Sequence, residues 1–206
     1  KGIYQHIPNA KIICILRNPV DRAYSNYLHL FRDGREPLNR FEDAIMAEDQ
    51  RIQDNWSPSW HYVHAGFYYE LLQRYFDYFP QKQIKVFLYE NYIAKPTDVL
   101  SEIFEFVGVD ATFHPDMSTR YNASGIPKNP LLHTLLSKRN PIRNLIKDRV
   151  PKPIRNKIMK LRNANLDKPP VLSSTIRAKL QNKFRPDIIK LQDLIQTDLS
   201  PWLAVD

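Results

Sequence analysis

The sequence holds one cysteine, Cys14, and five glycines among its 206 residues. A lone thiol forms neither an intrachain disulfide nor a CxxC metal site, so a stapled secretory scaffold and a zinc ribbon are both excluded. A reducing, cytoplasmic setting is the expectation. Gly2, Gly34, Gly66, Gly108 and Gly125 stand apart from one another, and neither a GxGxxG nor a GxxxxGKS/T phosphate loop can be written anywhere in the chain. No His/Cys/Asp group has ligand spacing, so no metal is implied. The longest strongly apolar run, Ile12 to Leu16, is far short of the ~20 residues that a membrane span needs. The chain opens with neither an initiator methionine nor a basic-then-apolar signal. Lys1 therefore reads as an internal position of a longer protein.

An apolar fraction of 43% with 12% aromatics is enough to fill a core, which excludes a disordered or collagenous chain. The net charge of +8 is concentrated: residues 131–190 carry 16 Lys and Arg against 3 Asp and Glu, while the remainder is net acidic. Such a block suits a polyanion, an anionic cofactor or an acidic surface, or it is a helical face whose charges meet only water.

Lys11-Ile-Ile-Cys-Ile-Leu16 reads as a strand buried on both faces. Asn18 is a good N-cap and Pro19 belongs at a first helical position, which predicts a helix to about Arg32, closed by Asp33-Gly34. A helix over Phe41 to about Asp54 follows, broken by Trp56-Ser-Pro-Ser-Trp60. Gly66 to Phe79 carries an apolar stripe at helical spacing, stopped by Pro80. Gln83 to Tyr89 is a second strand, and Thr97 is expected to cap a helix to Val107 that ends at Gly108. Residues 109–130 read as loop, and the rest as short helical pieces punctuated by prolines, the last opened by Pro186. Residues 131–170 read as a basic helical insertion in one domain spanning 1–206. The rhythm is that of an α/β fold, helices packed around a mostly parallel sheet. Two strands alone do not make a stable parallel sheet, so either further strands lie upstream of Lys1 or the pattern hides some within the chain.

The segment Ile13 to Ser25 is the most informative. A buried strand delivers Arg17 to its carboxyl end and a capped helix begins at once, where open α/β sheets bind ligands. Unpaired N–H groups, the positive helix end, a planar guanidinium at Arg17 and the Ser25 hydroxyl are the parts of a phosphate site. The alternative is an Arg17–Asp21 pair on one helical turn.

The string Lys11-Ile-Ile-Cys-Ile-Leu-Arg-Asn-Pro-Val-Asp-Arg-Ala-Tyr-Ser25 resembles the 3′-phosphate motif of sulfotransferases that use 3′-phosphoadenosine 5′-phosphosulfate, PAPS. The likeness continues through Tyr27, His29, Arg32, Gly34 and Phe41-Glu-Asp-Ala-Ile45, as in the carbohydrate-type and bacterial branch. Gly66-Phe-Tyr-Tyr-Glu-Leu-Leu, Ile84-Lys-Val-Phe-Leu-Tyr-Glu90 and Phe106-Val-Gly108 continue it, and so does the ending from Phe184 to Trp202. The resemblance implies a P-loop-NTPase-like sulfotransferase fold whose amino-terminal part lies upstream, with PAPS as co-substrate. It implies that Arg17 and Ser25 grip the 3′-phosphate. Tyr69 falls where relatives place a tyrosine against adenine, a core aromatic being the other reading. Lys128 matches the cation of a cofactor-covering segment, a solvated lysine being its alternative. The phosphosulfate loop and the catalytic base, a histidine or glutamate, normally precede this motif and are not found in residues 1–10. His6 reads as a surface histidine. His29 either faces the acceptor or packs.

The expected activity is sulfuryl transfer to an acceptor hydroxyl or amine on a carbohydrate or small molecule, with no specific nucleic acid and no membrane span. The rival is a non-enzymatic module whose basic block binds a polyanion.

Overall fold

The computed structural model describes residues 2–115, 126–129, 151, 154, 157–158, 160–161 and 164–204. The Asn122 to Gly125 loop and most of the basic helical pieces of 131–163 lie outside the described residues. The chain divides into two units: Lys1–Ala23, Val63–Thr119 and Ser173–Asp206 form the first, and Tyr24–Tyr62 with Arg120–Leu172 form the second.

The first unit is built on strands β1 (Ile12–Leu16) and β2 (Ile84–Leu88). They pair in parallel with Ile12 opposite Ile84 and Leu16 opposite Leu88, as the two β-branched runs predict. Around them lie α1 (Gly2–His6) and α2 (Pro19–Arg32), the latter continuing into the second unit. α5 (Tyr68–Phe76), α6 (Tyr89–Ala94), α7 (Pro96–Val107), α8 (Ser174–Ile195) and α9 (Ser200–Leu203) complete this unit, an α/β arrangement. The expectation that β1 is buried on both faces is not met: Leu16 is buried, Ile12, Ile13 and Cys14 are half-buried, and Ile15 is 47% exposed. Among the described residues only β2 pairs with it, and one neighbour shields a strand incompletely.

The helix boundaries correct the sequence reading at three places. α7 starts at Pro96, with Lys95 in the cap position. Proline's absent N–H and fixed φ suit the first helical residue, so Thr97 lies inside the helix and does not cap it. Pro186 does not open the last helix but lies within the continuous α8. There the burial of Leu180, Phe184, Ile188 and Leu191, a stripe at three- and four-residue steps, outweighs the ~3 kcal/mol penalty of an interior proline. The stretch 41–54 is two helices, α3 (Phe41–Met46) and α4 (Glu48–Gln53).

α5 and α8 pack through the Phe67 and Phe184 rings, 5.1 Å apart, and Tyr68 meets Trp202. Gly66 makes this approach possible, because a Cβ there would lie 2.8 Å from the Phe184 ring and 3.2 Å from Pro19 Cβ. Asp187 caps α5 from α8, its buried carboxylate accepting the Tyr69 N–H at 3.2 Å.

The second unit has an aromatic core in which Tyr27 contacts Phe31, Phe41 and Tyr62. Beside it Arg51 makes two 2.8 Å bonds to Glu36, whose side chain is wholly buried, and Tyr62 donates to the same carboxylate. Burial alone would raise the Glu36 pKa, but the donors Arg51, Tyr62 and the Leu38 N–H outweigh it and hold the carboxyl below its ordinary value. Ile126–Pro127 and Leu166–Asp167 form a short antiparallel pair, β3 and β4. Two-residue strands carry no periodicity, so the sequence does not reveal them.

Candidate functional site

The parallel register carries past the ladder's end. Leu16 opposite Leu88 sets Arg17 beside Tyr89 and Asn18 beside Glu90. The Arg17 guanidinium lies over the Tyr89 ring, 5.0 Å from its centroid. The Asn18 N–H donates to Glu90 Oε1 at 3.1 Å, and Asn18 Oδ1 accepts the Val20 N–H at 3.0 Å. Asn18 is thereby the expected N-cap, with Pro19 at the first helical position. From α5, the Tyr68 hydroxyl donates to the Arg17 carbonyl at 2.9 Å. Burial, first of all, pushes the Tyr68 phenol up to about 12, with the charges of Arg22 and Arg17 pulling the other way.

The Arg17–Asp21 alternative is not what the structure adopts. Asp21 pairs with Arg177 of α8, its Oδ1 2.8 Å from the guanidinium. Among the described residues no carboxylate forms an ion pair with Arg17. A guanidinium without an anion, on an aromatic face at a helix N-terminus, presents a planar donor fork to a phosphate or sulfate. Ser25 lies on the same helix, seven residues beyond Asn18, and two turns return it to nearly the same helix face. Its side chain is half-buried.

Tyr69 is brought together with other partners: its ring lies under Lys190 Nζ, 5.6 Å from the centroid, and its N–H is capped by Asp187. Lys128 belongs to the second unit, where its Nζ is 3.5 Å from Asp167 Oδ1 and both side chains are exposed. His29 is held by its own helix, with Asp33 at 3.7 Å from Nε2 and Arg32 at 2.8 Å from Nδ1. His6 is exposed at the end of α1. The residues that the sequence reading missed are Tyr68, Tyr89 and Glu90. Leu88-Tyr-Glu90 at the end of the second parallel strand was the available signal, because a parallel neighbour's carboxyl end must reach the same sheet edge.

Arg17 thus presents a guanidinium at the carboxyl edge of a parallel pair of strands, and the comparisons define the class. The family model described as "Sulfotransferase family" matches residues 1–114. The crystal structure of a sulfotransferase from Alicyclobacillus acidocaldarius superposes with a TM-score of 0.70 at 30% identity, covering 98% of this chain and 61% of that one. The human bifunctional heparan sulfate N-deacetylase/N-sulfotransferase 2 is 31% identical over 119 residues, 56% of this chain and 13% of the relative. The Drosophila melanogaster bifunctional heparan sulfate N-deacetylase/N-sulfotransferase is 28% identical over 118 residues, 56% of this chain and 11% of the relative. The chain thus spans about an eighth of the length of the curated relatives it matches. The chain belongs to the sulfotransferase family. Its fold is that family's α/β fold, and sulfuryl transfer is the family's chemistry.

Proposed function

We propose that the protein transfers a sulfuryl group from PAPS to a hydroxyl or amine of a carbohydrate acceptor, and that this chain supplies the 3′-phosphate-binding half of the donor site. The observation that carries the reading is the Arg17 guanidinium: it stands at the start of α2 with no carboxylate partner among the described residues, over the Tyr89 ring, on a backbone tied down by Tyr68 and Glu90. In the reaction the acceptor's lone pair forms a bond to sulfur as the bond from sulfur to the bridging phosphate oxygen breaks. The acceptor proton passes to a base, and adenosine 3′,5′-bisphosphate leaves. Arg17, the positive end of α2 and the Ser25 hydroxyl hold the 3′-phosphate, so that binding energy remote from sulfur orients the reacting group. Each charge-assisted bond of this kind contributes about 1.5 to 3 kcal/mol.

The carbohydrate acceptor is supported by the heparan sulfate N-sulfotransferases among the relatives. The rival, a basic module for polyanions, accounts for the charge of 131–190 and for nothing at the Arg17 turn. The test is transfer of label from sulfur-labelled PAPS, by the full-length protein, to a panel of glycans with free amines or hydroxyls. Labelled glycan is the expected product. A protein that binds anionic glycans in a salt-dependent way, yet transfers no label to any of them and ignores adenine nucleotides, is the polyanion module instead.

A further inference from the structure

The second unit carries a cluster that the donor site leaves unused. Trp56 and Trp60, which flank Ser57-Pro58-Ser59, meet edge to face with centroids 5.4 Å apart. Arg51 lies 4.9 Å from the Trp56 centroid. Because Arg51 is buried and engaged by Glu36, it supports the indole from the protein side. Trp56 keeps 38% of its surface exposed. On Trp60 lies a second guanidinium, Arg35, 4.8 Å from the centroid. Among the described residues it forms no ion pair. The Trp60 indole N–H is covered and finds no acceptor among them either, an uncommon state for a buried donor.

We propose that Trp56 and Arg35 form a binding site for an acidic saccharide, a pyranose lying on the exposed part of the Trp56 indole with its carboxylate or sulfate on Arg35. An indole offers a rigid apolar plane at small entropic loss, which suits the C–H face of a sugar ring. A guanidinium without a carboxylate matches the planar, bidentate geometry of an acidic substituent. The two lie within about 10 Å of each other through Trp60. The buried Glu36–Arg51 pair gives the platform a rigid base, because Arg51 is fixed by two hydrogen bonds before any ligand arrives. The acidic saccharide is chosen as ligand over a nucleotide because, among the described residues, Arg35 is the cation of this cluster that forms no ion pair, beside an indole surface and two small hydroxyls. Only the choice of glycan as probe rests on the carbohydrate-acceptor reading above.

The experiment titrates the full-length protein with a uronate-containing oligosaccharide and with its carboxyl-reduced, neutral counterpart, following tryptophan fluorescence and calorimetry. Adenosine 3′,5′-bisphosphate is titrated in parallel. The expected result is quenching by both saccharides, tighter binding of the acidic one, and a loss of at least fivefold for both in Trp56→Leu, which keeps apolar cover over Arg51 but removes the plane. Arg35→Gln, at a half-buried position, is expected to weaken the acidic saccharide at least fivefold and to leave the neutral one unchanged. Nucleotide affinity is expected to stay the same in both variants. Saccharide affinities unchanged in folded Trp56→Leu, or unchanged discrimination in Arg35→Gln, overturn the proposal. So does saccharide binding that quenches no fluorescence. Failure of the unaltered protein to bind the nucleotide contradicts the donor-site reading instead and leaves the saccharide titration to decide the platform by itself.

Discussion

Tyr68 donates its hydroxyl to the main-chain carbonyl of Arg17 at 2.9 Å, across 51 residues of sequence. The residue that follows β1 is thereby fixed by the first residue of α5, and the guanidinium starts from a defined backbone position. Tyr68→Phe keeps the packing against Trp202 and removes only the bond. We expect a loss of about 1 kcal/mol in stability together with a several-fold weaker affinity for adenosine 3′,5′-bisphosphate. Thermal unfolding and calorimetric titration check the two effects separately; an unchanged nucleotide affinity with reduced stability would leave Tyr68 a packing residue.

Gly66 stands where α5 begins and where the Phe184 ring and Pro19 converge. A methyl group there would sit 2.8 Å from the ring, closer than any relaxed contact. The ring is wholly buried and has no room to swing away. Gly66→Ala is expected to destabilise the protein by about 1 to 3 kcal/mol, the usual range for overpacking. Chemical denaturation measures it, and a neutral effect would mean that Phe184 moves freely.

How far the site was legible in the sequence follows from distance along the chain. β1, the Asn18 cap, Pro19 and the run of α2 are local, and residues 11–34 specify them by β-branching, capping and a closing glycine. The parallel pairing of β1 with β2 was also readable, since both are short apolar runs ahead of helices. What the sequence did not reveal is tertiary. The Arg177 that takes Asp21 away from Arg17 lies 156 residues further on. Glu90 reaches Asn18 only because the strands run in one direction and one register. Pro186 was read as a helix start because local chemistry argues for it, and the burial of the α8 face overrides that preference.

Tyr68 and Tyr27 are both pushed up to about 12 by burial, which is opposed at Tyr68 by nearby arginines and reinforced at Tyr27 by Glu36. Between 10, the ordinary phenol value, and about 12, the folded state keeps protons that the unfolded chain has lost. Stability is therefore full below pH 10 and is lost as pH rises through about 12, on the order of 2 to 3 kcal/mol for Tyr68. Tyrosinate absorbance should show a class of phenols that ionise only together with unfolding. A single transition near pH 10 with the fold intact would contradict this.

Glu36 behaves in the opposite sense. Its lowered pKa gives a contribution present above the ordinary carboxylate range and lost as pH falls through the folded value. Glu36→Gln leaves Arg51 buried without its counter-charge, and the expected loss is about 3 to 5 kcal/mol. Stability of the variant should also depend less on pH in the acid range than that of the unaltered protein. Equal acid sensitivity in both would place the acid transition elsewhere.

Whether Arg17 holds a 3′-phosphate is tested directly by the affinities of adenosine 3′,5′-bisphosphate and AMP for the unaltered protein and for Arg17→Ala. AMP lacks the 3′-phosphate, so loss of the guanidinium should weaken the bisphosphate by at least the ~1.5 to 3 kcal/mol of a charge-assisted bond and AMP far less. Equal losses for the two nucleotides, or none for the bisphosphate, would contradict the assignment of Arg17 and with it the donor site proposed at this strand–helix turn.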